Sequence, residues 1–313
     1  MTVERFIYCQ TMRREKKHVN FGSLVKCMRE HFGKVQDGRQ NGKVSYELAD
    51  IALSGFACMF FQDPSLLQFQ KRMQDKRQRS NLRTLFEVAE IPESTQLRDV
   101  LDSLSSESFR PLLKQYFARL QRGKHLEMFQ FLKNQYLISL DGTQYFSSKN
   151  ISCPHCLTRR YASGEVTYSH QAVQAAAMHP ELKQVIPIFA EDIRNNDGSN
   201  KQDCEINAAK RLVDKLRTDH PHLGIILLGD GLYSHHGMVE EVLKHNMHYI
   251  FVAKPNDHQL EHNFGHGSQF LAFNFYLLTI LAFFLHQIFE LTDLLYREAR
   301  NRWSKRFIWE QLR

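Results

Sequence analysis

Two aspartates share one kind of flank, Leu140-Asp141-Gly142 and Gly229-Asp230-Gly231. Each follows a short apolar run, residues 136–140 and 224–228, of the kind that forms a strand. Carboxylates at strand ends lie where open α/β sheets keep reactive groups. A glycine beside each lets backbone and ligand approach closely. Two such carboxylates on neighbouring strands suit Mg²⁺, which takes one or two carboxylates plus water and phosphate oxygens. Paired ions about 3.5–4 Å apart activate an attacking oxygen and stabilise a leaving one in phosphoryl transfer. Asp-Gly is also a common turn pair, so the competing reading is two turn caps.

A second set is softer. Of the six cysteines, at 9, 27, 58, 153, 156 and 204, only Cys153 and Cys156 are closely spaced. A Cys-x-x-Cys pair with His170 on the next strand and Cys204 further on has the donor types of a structural Zn²⁺ site, which wants four ligands. The competing reading is a proline-containing hairpin whose thiols bind nothing.

These side chains need a scaffold. Residues 136–140, 166–173, 184–189, 224–228 and 249–253 read as strands, with Pro187 pointing to an edge or a bulge. Residues 204–217 and 238–245 read as amphipathic helices between the later strands. The order predicts an α/β fold, an antiparallel meander extended by helical crossovers into a mixed sheet flanked by helices. Upstream, residues 46–61, 109–120 and 125–132 have helical spacing, as do segments opening at Ser65 and Ser94. The expected organisation is a helical basic region over 1–135, a core over 136–258 and C-terminal helices over 259–313.

Charge suggests a partner. The 313 residues carry 41 Lys and Arg against 34 Asp and Glu, a net +7. The excess is clustered. Lys71, Arg72, Lys76, Arg77 and Arg79 stand together with Asp75, and Arg119, Arg122 and Lys124 follow on a later helix. Successive basic helix faces suit nucleic-acid phosphates, although one alone is an ordinary solvated face. The first residues lack the apolar core of a signal peptide, so an intracellular, reducing compartment is expected. The apolar run 270–285 falls short of the roughly 20 residues of a span, so it reads as a core helix and no membrane partner is expected.

Seven stretches together resemble DDE-type insertion-sequence transposases of the insertion-sequence-four-like group: Ile91–Arg98, Leu140–Ser147, Cys153–Thr158, Tyr168–His170, Gln202–Glu205 with Ala208–Arg211, Leu228–Tyr233 and Leu260–Gly267. The resemblance spans about residues 46 to 290. It implies an RNase H-like catalytic core, with Asp141 and Asp230 as the first two catalytic carboxylates holding Mg²⁺ or Mn²⁺. It also implies nicking of double-stranded DNA at element ends, then strand transfer to target DNA by a homo-oligomer in a prokaryotic cytoplasm, at the nucleoid. Lys254, after the last strand, is read as a DNA phosphate contact.

The chain departs from that pattern at the third carboxylate. In the family a long insertion and a glutamate-bearing helix follow the strand resembling 249–253. Here Lys254-Pro255-Asn256-Asp257-His258 runs almost directly into Gln259-Leu260-Glu261. The expectation is an internally shortened transposase, impaired by loss of the catalytic Glu, with Glu261 as the nearest stand-in. The alternative is a catalytically inactive DNA-binding protein that occupies element ends or inhibits full-length transposase.

Overall fold

A computed structural model describes residues 19–40, 44–88, 90–194 and 203–252, with Leu277, Ile280, Leu281, Phe284 and Leu285. Glu261 and Lys254 lie outside the described residues. The chain divides into a helical unit, Met1–Leu126 with Asn274–Arg313, and a sheet unit, Glu127–Phe273.

The helical unit contains α1 (Phe21–Phe32), α2 (Leu48–Phe60), α3 (Leu66–Met73), α4 (Lys76–Phe86), α5 (Ser94–Ser103) and α6 (Arg110–Arg122). Asn20 and Ser65 cap α1 and α3 by accepting the backbone N–H groups of Ser23 and Gln68, which fills donors that a helix start leaves open. The core is rich in phenylalanine. Phe21, Phe56, Phe60, Phe61 and Phe86 meet pairwise with ring centroids 5.4 to 5.9 Å apart, a separation at which tilted and edge-on rings attract. Tyr116 is buried in α6 and donates its hydroxyl to the Leu24 carbonyl at 2.8 Å. Its ring lies 5.8 Å from that of Phe284. The five described residues of the apolar run are helical and buried, at the spacing of one helix face. Among the described residues no helix is long and apolar enough to cross a membrane.

The sheet unit is mixed α/β, with seven strands flanked by helices. Its elements are β1 (Gln130–Leu132), β2 (Gln135–Ser148), β3 (Leu157–Arg160), β4 (Val166–Met178), β5 (Ile186–Ile193), α7 (Glu205–Asp219), β6 (Gly224–Gly229), α8 (His236–Lys244) and β7 (His248–Phe251). β2, β4 and β5 are antiparallel neighbours. β6 then pairs parallel with β2, and β7 parallel with β6. A parallel neighbour needs a crossover, and α7 and α8 provide two. The buried face of α7, Ala208, Ala209, Leu212, Val213 and Leu216, covers β5 and β4.

Three local expectations are corrected. Residues 125–132 form no helix. Lys124 adopts φ 62°, a short 3-10 turn spans Glu127–Phe129, and β1 pairs with β2. Sheet pairing of the backbone outweighs the helical spacing of the side chains there. β2 does not stop at Leu140 but runs through Asp141 and Gly142, because β4 supplies partners in Gln174 and Val173. β3 was not expected at all. Its four residues are held by pairing with Val166–Ser169 of β4. At Pro187 the β4–β5 register shifts next to Ala176, which accommodates a residue with no N–H to donate.

Candidate functional site

The parallel ladder between β2 and β6 ends at the pair Ser139–Leu228. Asp141 and Asp230 both stand two residues further on, at the carboxyl end of β6. Neighbouring strands run about 4.8 Å apart, so the two backbones are adjacent at one rim. Both aspartates are exposed. β6 stops because Asp230 caps a 3-10 turn, Gly231–Tyr233, accepting the Leu232 N–H at 2.9 Å. Turn capping and a place at the rim therefore coexist at Asp230.

Glu205, the first residue of α7, joins them. Its Oε1 accepts the Tyr233 hydroxyl at 2.6 Å, and its carboxylate accepts the Gly142 N–H. Burial raises its pKa above the usual range, and the negative charges of Asp230 and Asp141 raise it further, against the two hydrogen bonds. The Tyr233 hydroxyl is pushed up strongly by burial and by Glu205. A β-carbon on Gly142 would run into the Glu205 carboxylate, so the missing side chain is what admits Glu205 to the rim. Glu205 was not among the residues expected at the rim. Its position at the start of the amphipathic run 204–217, with a glycine after Asp141, was the available signal. Among the described residues, none of the three carboxylates forms an ion pair with Lys, Arg or His.

A buried ionic network fixes the start of α7. Asp203 is 0% and Glu191 2% exposed at the side chain. Arg211 bridges them, donating to Glu191 at 2.8 Å and to Asp203 at 2.6 Å. Lys215 donates to the other Glu191 oxygen at 2.6 Å. Asp203 also accepts the Arg194 and Cys204 N–H groups, both at 2.9 Å. These bonds tie α7 to the end of β5 and so set where Glu205 begins. On β5, burial holds the Asp192 carboxyl up to about 7, with Tyr145 donating to it at 3.2 Å.

Cys153, Cys156 and His170 converge at the β2–β3 turn. The His170 Nε2 lies 3.7 Å from the Cys153 sulfur and 3.8 Å from that of Cys156. Burial, with the charge of His155, lowers the His170 imidazole to about 4. Cys204 does not join them. It sits at the N-terminal end of α7, where its backbone meets Asp203. Among the described residues this trio forms the one set of three whose ligand atoms lie within 4.8 Å of one another. The oxygens of Asp141, Asp230 and Glu205 are spread more widely.

The basic residues fall into two kinds. Arg72 is committed within the helical unit: it pairs with Asp63 at 2.5 Å and lies 4.9 Å over the Phe61 ring. Arg119 hydrogen-bonds toward the Cys27 thiol. Lys71, Arg122 and Lys124 are exposed, with the Arg122 Nε on the Ala118 carbonyl at 3.2 Å. Lys76, Arg77 and Arg79 are described only as backbone of α4.

Compared with protein-family models, with curated proteins and with solved structures, the chain has no match.

Proposed function

We propose that the sheet unit is the catalytic core of a DDE-type insertion-sequence transposase, RNase H-like in fold, acting on double-stranded DNA at element ends. The reading includes a homo-oligomer on DNA and impaired strand transfer, since the family's glutamate helix is missing from the sequence. The observation that carries it is the rim itself: three carboxylates from β2, the end of β6 and the start of α7, with no cationic side chain among the described residues paired to them. Three antiparallel strands followed by two strands parallel to the first also support it.

The donor set fits a hard divalent ion. Asp141 and Asp230 would hold Mg²⁺ or Mn²⁺ through carboxylate oxygens, leaving positions for water and phosphate. Such an ion activates an attacking oxygen and stabilises a leaving one. The chain's own contribution is placement. β2 and β6 set the two aspartates side by side, Gly142 keeps the rim open, and Tyr233 and the Gly142 N–H hold Glu205 behind them. A third negative charge beside the pair strengthens attraction for a cation.

The second reading, a DNA-binding protein without catalysis, is favoured by one observation. Asp230 already spends an oxygen on the Leu232 N–H. Nicking of supercoiled plasmid bearing the parent element's terminal repeats separates the two. The transposase reading expects weak Mn²⁺-dependent nicking, lost in both Asp141→Asn and Asp230→Asn, with little strand transfer in Mg²⁺. Binding of repeat DNA without nicking under either metal supports the second reading. Nicking that survives both substitutions overturns the first.

A further inference from the structure

Away from the carboxylate rim, the β2–β3 turn brings two thiols against one imidazole. The pairing Leu157–Ser169 sets the residue after Cys156 opposite the residue before His170. The turn is fixed by its own backbone: the Cys156 N–H donates to the Cys153 carbonyl at 3.0 Å and the Cys153 N–H to the Cys156 sulfur at 3.2 Å. His170 is fixed by its neighbours. Tyr145 stacks on it with centroids 5.7 Å apart, and Phe146 lies at 5.4 Å. The three donors are therefore held in place by protein contacts alone.

The separations have a meaning. Zn–S bonds of about 2.3 Å and Zn–N bonds of about 2.05 Å, at a tetrahedral angle, put sulfur and nitrogen about 3.6 Å apart. The observed 3.7 and 3.8 Å differ from that by little, and they are nearly equal. An imidazole equidistant from two sulfurs suits one shared centre. A disulfide instead needs the sulfurs about 2.05 Å apart and gives the imidazole no part. Thiolate and imidazole donors select zinc-class ions over Mg²⁺ or Ca²⁺.

We propose that Cys153, Cys156 and His170 bind one zinc-class divalent ion, with a solvent molecule as fourth donor, and that the ion staples the β2–β3 turn to β4. Cys204 takes no part. β3 has only four residues and rests on β4 pairing, so a bond from each side of the turn to His170 secures its entry. Metal binding of this kind is coupled to folding free energy. The site shares no residue with the carboxylate rim and rests on the geometry of its own three side chains.

The test is elemental analysis of the untagged full chain, purified without chelator and after incubation with zinc alone. About one zinc per chain is expected. Cys153→Ser and His170→Ala should lose it, and Cys204→Ser should keep it. Because those variants could misfold, the unaltered protein is also tested by mass-mapped alkylation. With zinc, Cys153 and Cys156 should react on the order of tenfold more slowly than after EDTA treatment, while the buried Cys27 and Cys58 show no zinc dependence. A zinc content well below one per chain, equal alkylation with and without zinc, or a Cys153–Cys156 disulfide in the freshly purified protein would overturn the site. So would loss of zinc in Cys204→Ser.

Discussion

Asp141 on β2 and Asp230 just past the end of β6 each stand two residues beyond the Ser139–Leu228 pair that closes the parallel β2–β6 ladder. This follows from register, not from side-chain rotamers. Sliding β6 by one residue would turn every β6 side chain to the other face of the sheet. Ile225, Ile226 and Leu227 are all buried, so β6 is covered on both faces, and the alignment of the two acids is that of the β2–β6 ladder itself.

Gly142→Ala tests the approach of Glu205. The new methyl would meet the Glu205 carboxylate, the far end of a flexible side chain, so the fold should give way cheaply. Stability is expected to stay within about 1 kcal/mol of the parent. Mn²⁺ affinity should fall severalfold as Glu205 leaves the rim. Titration calorimetry of the variant checks this, and unchanged affinity would remove Glu205 from the site.

Arg211→Met tests the network beneath the site. It leaves Asp203 and Glu191 buried, with Lys215 on Glu191 as the remaining paired cation among the described residues. Breaking a buried ion pair by removing one partner costs about 3–5 kcal/mol. Urea unfolding should register a loss of that order, and Arg211→Lys should recover only part of it, because an ammonium lacks the fork that spans both carboxylates.

Asp192 makes stability depend on pH. Its carboxyl is raised from 3.8 to about 7, so the native state holds the proton more tightly than the unfolded chain does. Its contribution is fully present below the unfolded value of about 3.9 and is lost as pH rises through about 7. Asp192→Asn keeps an oxygen for Tyr145 and removes the titration. Denaturant midpoints should therefore favour the variant above pH 7, by at most about 4 kcal/mol and less given its partial exposure. The advantage should shrink steadily toward pH 4.

Tyr233→Phe deprives Glu205 of a hydrogen bond that favours its charged form. The Glu205 pKa, already raised, should rise further. A protonated carboxylate is a poor ligand, so the pH at which Mn²⁺ binding is half lost should move upward. A binding series across pH reads the shift directly.

Asp141 and Asp230 were legible because an apolar run followed by Asp-Gly is a local signal. Glu205 was not, because its place depends on tertiary alignment: Gly142 lies far upstream, and Tyr233 reaches it from the turn after β6. Arg72 looked like part of a basic face, yet Asp63 just upstream of α3 claims it. Charge counting along the chain does not see such a partner. Residues 125–132 misled for a related reason. Their apolar spacing suited a helix, but β2 offered a strand partner. The Cys153, Cys156 and His170 grouping was visible from spacing, whereas the exclusion of Cys204 required the buried carboxylate beside it.

The central claim is that Asp141 and Asp230 grip one divalent site together. Mn²⁺ titration followed by electron paramagnetic resonance measures it without DNA and without turnover. Bound Mn²⁺ should disappear in Asp141→Asn and in Asp230→Asn alike, while Cys153→Ser retains it. Undiminished Mn²⁺ binding in either aspartate variant, with the protein still folded, would contradict the account.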